Sequence, residues 1–310
     1  MSGEMVKLRG ENSKRNVQGI ESWIKQYFGY LLLLPIAVLV TLIMAYPILH
    51  AMALSFTDKS LLNPTTKFIA LANYIKLFKS PEVWVALQHS VILTAAAVCL
   101  QYFGGLGLAI LLNQRVPGIQ FFRSICMVTW VLPIVATVIM FDLMLTPGYG
   151  FFNVILKAVG LGRYTKYWFG SREWALWIIA TMHVWRNLPF FAIALLAGIQ
   201  SIPRDIFEAA KVDGATSLQI LRFITLPGIK YISMVMITIH VLWTFNNFDF
   251  VYLSTGGGPV DATEVLATFV YKRTWEYYAI GYAASAGVFM MAILMVFTGV
   301  YIFLVKEREV

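Results

Sequence analysis

The sequence predicts an all-α polytopic membrane protein with six transmembrane helices, and two observations carry that expectation. Of 310 residues, 59% are hydrophobic and only 13% charged, with a mean hydropathy of +0.72; a soluble domain typically carries about 25% charged residues. Six apolar stretches also reach the roughly 20 residues needed to cross a hydrocarbon core about 30 Å thick.

The first stretch, residues 30–56, is too long for a signal-peptide core and is followed by no small-residue cleavage site, so it reads as a retained span. Before it runs a polar arm, residues 1–29, carrying Lys7, Arg9, Lys14, Arg15 and Lys25, as a cytoplasmic segment would. The other stretches cover residues 89–112, 125–145, 174–199, 231–253 and 280–305, so the transmembrane region is expected over 30–305 and a short tail over 306–310. An even count puts both termini on one side. With that side cytoplasmic, thirteen Lys/Arg fall inside and ten outside, with Arg186 in a span. The short loop 113–124, with Arg115 and Arg123 and no acid, adds to this inward bias.

The net charge of +8 fits basic flanks meeting anionic lipid, because no long basic patch or aromatic-basic repeat suggests nucleic acid. Cys99 and Cys126 lie in apolar runs, which supports neither a disulfide framework nor a thiolate cluster, and they are read as packing residues. His50, His89, His183 and His240 include no i, i+4 pair, so no helical metal site is expected. The run Gly104-Gly105-Leu106-Gly107 lacks the strand-turn-helix setting of a dinucleotide site and reads as close helix packing. No HExxH, GxSxG or paired-acid site supports an enzyme.

Between the fourth and fifth stretches lies a polar segment, residues 201–229, containing EAAKVDGATSLQILRFITLP. Ser201 can cap a helix with Pro203 and Asp205 in its early part, and Gly214 suits the left-handed turn that stops it. Thr216 or Ser217 then starts a second helix that ends near Pro227. The small Ala209 and Ala210 permit close approach, while Glu208, Lys211 and Asp213 offer directional polar contacts.

Glu208-Ala209-Ala210, Asp213-Gly214-Ala215 and Ile224-Thr225-Leu226-Pro227 resemble the EAA signature of permease subunits in bacterial ABC importers. LLAGIQSIP (195–203), STGGGP (254–259) with Thr263, GYAAS (281–285) and GYGFFNVILKAVGLG (148–162) are similar to the maltose-type, carbohydrate-importing branch. The resemblance implies a type I ABC importer permease fold in the bacterial inner membrane. It implies that Glu208, Ala209, Ala210, Asp213, Gly214, Leu226 and Pro227 form a coupling element docked on a separate ATPase. The implied partners are a second permease subunit, two ATPase subunits, an extracytoplasmic binding protein and a carbohydrate, with the 254–259 loop near the binding-protein face. No GxxxxGK[ST] loop occurs in the chain, so ATP and Mg²⁺ are expected on the ATPase and no cofactor on this chain.

Polar groups inside spans are candidate cargo contacts because they are costly there. Asn246 and Asp249 are expected on one helix face, with Trp243 and Tyr252 a turn to either side and Asn247 adjacent. Arg186 and Trp185 stand in the fourth stretch, Arg186 about 21 Å from its cytoplasmic end at ~1.5 Å per residue. The competing readings are an Arg186–Asp249 structural pair, Asn246 and Asn247 as interhelical glue, and both tryptophans as packing. Pro189 is expected to kink the span. Two other functions compete with sugar uptake. One is a polyol or glycerol-phosphate cargo with Arg186 as anion partner; the other is an ion-coupled transporter using Asp249 or Asp142.

Overall fold

A computed structural model describes residues 27–306 apart from 31 and 115. The arm before residue 27, Arg115 and the end of the tail lie outside the described residues. Among the described residues the regular structure is helical, apart from one isolated antiparallel bridge, Thr57 to Phe68. Contacts divide the chain at residue 54 into two units.

The first unit contains α1, Tyr27–Leu54, an apolar helix of 28 residues, long enough to cross a bilayer. A wide π turn at Thr41–Ala45 precedes Pro47, whose ring nitrogen cannot donate to the preceding turn.

In the second unit, α2 (Ala72–Lys79) leads through an extended Ser80 into α3 (Pro81–Leu112). The second span therefore begins eight residues before the expected start at 89. Pro81 suits the first turn of a helix, and Glu82 is neutralised by an ion pair with Arg273, so the helix continues beyond the apolar run. α3 packs along α7 (Ala175–Ser201), which contains Pro189. A Cβ on Gly104 would lie 2.8 Å from Leu188 Cδ1, and one on Gly105 2.9 Å from Phe191 Cβ. The glycines thus permit close packing as expected, whereas Gly107 faces open space. One turn above Gly105, Gln101 Nε2 lies 2.9 Å from His183 Nδ1 and donates to the His183 carbonyl at 3.2 Å, deep in the same seam. Of the cysteines, Cys99 is exposed and so departs from the packing role, whereas Cys126 is half-buried.

The third span is not one rod. α4 (Ile119–Val131) and α5 (Ile134–Leu145) meet at 92° across Leu132-Pro133, where proline removes a helical donor. With this pair counted as one span, the described residues hold six. Three helices lie outside both the six expected stretches and the 201–229 segment. These are α2; α6 (Phe151–Ala158); and α12 (Leu266–Trp275), whose first N–H donates to Ser90 Oγ at 2.8 Å. They are short and carry charge or aromatics, which hides them from a search for 20-residue apolar runs.

The 201–229 segment folds into α8 (Arg204–Val212) and α9 (Ser217–Ile220), the latter continuing through a π turn, Leu221–Thr225, to Leu226–Gly228. α10 (Lys230–Phe245), α11 (Asp249–Thr255) and α13 (Ile280–Lys306) complete the chain. A core around Ala109, Phe191, Leu195, Ile199 and Ile229 supports the end of the bundle that carries α8 and α9. A second core, around Ile179, Met182, Trp168 and Phe250, supports the opposite end.

Candidate functional site

The α8–α9 knob is built almost entirely from local hydrogen bonds. Gly214 takes φ +77°, and two bonds close the helix behind it: Ala215 N–H to Ala210 O at 2.9 Å and Gly214 N–H to Lys211 O at 3.1 Å. This is the Schellman pattern, in which a residue with a Cβ at the left-handed position costs roughly 1–2 kcal/mol. Thr216 then starts α9 with a capping box: its N–H donates to Gln219 Oε1 at 2.7 Å and its hydroxyl accepts from Gln219 N–H. Ser201 does not cap α8 as expected. It is the last residue of α7, and its hydroxyl donates to Gly198 O at 2.8 Å, one turn back along that helix.

Glu208, Ala209, Asp213 and Gly214 are exposed together, Ala210 is half-buried, and Leu226 and Pro227 lie where the second arm returns to the bundle. Three apolar side chains stand out around them, Val212 (88% exposed), Leu218 (72%) and Phe223 (69%). A 280 Å³ hollow between the arms is lined by residues that include Asp213, Gly214, Gln219 and Phe223. Exposed apolar tips around a polar rim mark a protein-contact surface.

In the membrane region the expected cargo residues separate into two groups. Trp243, Asn246 and Asp249 are all exposed along the fifth span. They do not share one continuous helix, since α10 ends at Phe245 and α11 begins at Asp249. The backbone and side-chain amides of Asn246 both donate to Leu242 O, at 3.3 and 2.8 Å, and so close α10. Asn247 is buried and accepts from Phe250 N–H at 3.2 Å at the start of α11.

The remaining three residues pack. Tyr252 stacks on Phe248 and meets Tyr271, each ring at 4.8 Å. Trp185 meets Phe141 edge-on at 5.6 Å. Arg186 forms no ion pair with Asp249; its Nε donates to Leu132 O at 3.1 Å, with Nη1 3.5 Å from Asn187 Oδ1. The Leu132 carbonyl ends α4 at the break, and a cation there meets the negative end of a helix. Arg186 therefore braces the bent third span, a partner invisible from its own stretch of sequence.

At the opposite end of the bundle, the 254–264 loop is closed by Thr263. Its hydroxyl lies 2.7 Å from Thr255 Oγ1 and 2.7 Å from Gly258 O, while its N–H donates to Gly257 O. Beside it, Lys272 Nζ bridges Glu264 Oε2 at 3.3 Å and Asp261 Oδ1 at 3.7 Å on the wall of a 540 Å³ cavity. Burial, reinforced by a hydrogen bond with Asp261 and opposed by Lys272, pushes the Glu264 carboxyl up to about 7.

Comparison with known proteins places these features. Residues 101–308 match the family described as binding-protein-dependent transport system inner membrane component. The chain is 33% identical over 280 residues to the sulfoquinovosyl glycerol transport system permease protein SmoG of Agrobacterium fabrum, covering 90% of each chain. It is 30% identical over 276 residues to the trehalose/maltose transport system permease protein MalF of Thermococcus litoralis, covering 88% of this chain and 92% of that one. Its fold is similar to a chain of a bacterial ABC transporter that imports the acidic polysaccharide alginate, with TM-score 0.81 at 22% identity over 93% of this chain and 98% of that one. The chain therefore belongs to the inner-membrane components of binding-protein-dependent transport systems, integral membrane permeases of ABC importers.

Proposed function

We propose that the chain forms half of the translocation pathway of an ATP-driven importer for a sugar or oligosaccharide. In this reading it pairs with a second, related permease, two ATPase subunits dock on the knobs, and an extracytoplasmic binding protein delivers cargo. The transmembrane region spans 30–305, the arm, the 201–229 loop and the tail are cytoplasmic, and ATP with Mg²⁺ is used by the ATPase while this chain binds no cofactor. Carbohydrate cargo is supported by the names of the two relatives and by the fold shared with the alginate importer.

The observation that carries the reading is the knob: a rigid double-helix protrusion with exposed Val212, Leu218 and Phe223 around Glu208, Ala209 and Gly214. Its two arms continue into α7 and α10, so a push on it is passed to two spans as levers. Rocking of packed spans about a central site is the general logic of alternating access. Trp243, Asn246 and Asp249 supply the sugar-facing surface, an aromatic face for apolar sugar edges with an amide and a carboxylate for hydroxyls. A carboxylate at mid-span costs about 2.5–3.5 kcal/mol when it faces lipid, which favours a watered path on this side. Arg186, engaged with Leu132, is not assigned to cargo, so a glycerol-phosphate substrate is not favoured.

The test is Glu208→Lys in the assembled transporter. It leaves the chain in the membrane and the complex intact, while substrate-stimulated ATP turnover and uptake lose their link. Coupled turnover at the wild-type ratio would overturn the proposal.

A further inference from the structure

The 29 residues between α5 and α7 form no span, yet are rich in apolar and aromatic side chains. Within them α6 is held from beneath by Asn153, whose side chain is wholly buried. Asn153 Nδ2 donates to the Thr146 and Lys166 carbonyls at 3.2 and 3.0 Å, and its Oδ1 accepts from Trp168 Nε1 at 3.0 Å. This clamp fixes one face of α6 to the end of the third span and to the chain returning toward the fourth. The opposite face presents Phe151 (61% exposed), Val154, Ile155 and Val159 (62%).

The charges of this segment are one-sided: Lys157, Arg163, Lys166 and Arg172 against the single acid Glu173. Two of the cations lie over aromatic rings, Arg163 over Tyr164 at 4.7 Å and Lys166 over Trp174 at 5.1 Å. Both ends of the segment are covalently continuous with spans, so its height is set at the edge of the bilayer at the end opposite α8 and α9. Apolar side chains facing one way, with Trp, Tyr and basic residues beside them, are the chemistry of the membrane–water interface.

We propose that α6 is an interfacial helix, seated by Phe151, Val154, Ile155 and Val159 in the acyl–headgroup boundary, with Lys157, Arg163 and Lys166 holding lipid phosphates. The bilayer is favoured over a protein because the segment is held at the edge of the bilayer by the spans at both of its ends and because its charge complements phosphate. α6 then anchors the bent third span against vertical movement while α7 and α10 rock. The same contacts account for the basic residues of this segment, which dilute the inward charge bias of the sequence.

The test uses the assembled transporter in vesicles, with nitroxide placed at Ile155→Cys or Val159→Cys after Cys99→Ala and Cys126→Ala, and at Asp261→Cys as an aqueous reference. The seated helix gives a several-fold preference for collision with oxygen over a water-soluble nickel chelate at 155 and 159, and the reverse at 261. Replacing pure phosphatidylcholine by a mixture with one-third phosphatidylglycerol deepens the 155 probe, and Lys157→Glu with Arg163→Glu abolishes that response. Nickel-favoured collision at both helix positions would overturn the proposal, as would shielding from both reagents, which would show a protein covering the face. A depth at 155 that ignores phosphatidylglycerol would overturn the phosphate contacts.

Discussion

The knob and the mid-membrane surface are built in opposite ways. In the knob every defining bond joins residues at most five apart: Ala215 to Ala210, Gly214 to Lys211, Thr216 to Gln219. At mid-membrane the decisive contacts span the chain, with Arg186 on Leu132 54 residues away and Gln101 on His183 82 residues away. The knob is thus a stiff local unit that can be pushed as one piece. The membrane region is a set of helices joined by contacts distant in sequence, with breaks at Leu132-Pro133 and at 246–248. In the proposed mechanism, force is received on a part shaped by its own sequence and is used in a part shaped by its neighbours.

Breaking the stiff part has the largest expected effect. Gly214→Pro forces φ to about −65° where the fold needs a positive value and removes the N–H that bonds Lys211 O. Vesicle uptake by the assembled transporter falls more than ~10-fold, a barrier change above about 1.4 kcal/mol, while ATP turnover no longer responds to substrate. Next comes Asp249→Ala, which leaves assembly unchanged by size-exclusion chromatography and lowers uptake by roughly 10-fold. Wild-type kinetics there would remove Asp249 from the path.

Arg186→Gln probes the long-range side of the comparison. It leaves the Leu132 carbonyl without its charged donor, and loss of such a bond costs about 1.5–3 kcal/mol when buried and less at this half-exposed site. Thermal unfolding shows a lower midpoint with substrate affinity unchanged, whereas a cargo ligand would show the reverse.

The smallest effect concerns Glu264. Its folded-state carboxyl is raised from 4.5 to about 7, so the folded protein binds this proton more tightly than the unfolded chain. The contribution to stability is full below about 4.5 and is lost as pH rises through about 7. Thermal midpoints from pH 4 to 8 therefore decline for wild type relative to Glu264→Gln across that window. Parallel profiles would contradict the buried setting of the carboxyl.

The same division explains what could be read in advance. Gly214, the Thr216 start and the apolar length of the spans follow from neighbours in sequence, and the structure has all three. The helical face shared by Asn246 and Asp249 failed because the fifth span ends and restarts between them. The Arg186–Asp249 pairing failed because a proline 53 residues upstream of Arg186 ends a helix and leaves the Leu132 carbonyl as the better partner. Asn153 carried no signal, since its clamp depends on carbonyls brought together by two turns of chain.

The central claim is that this chain moves cargo only when an external ATPase drives its knob. The most direct measurement is solute uptake into vesicles holding the purified chain alone, beside vesicles holding the complete importer with binding protein and internal ATP. The account predicts uptake in the complete importer and none by the chain alone under any imposed ion gradient. Saturable sugar uptake by the chain alone would contradict it.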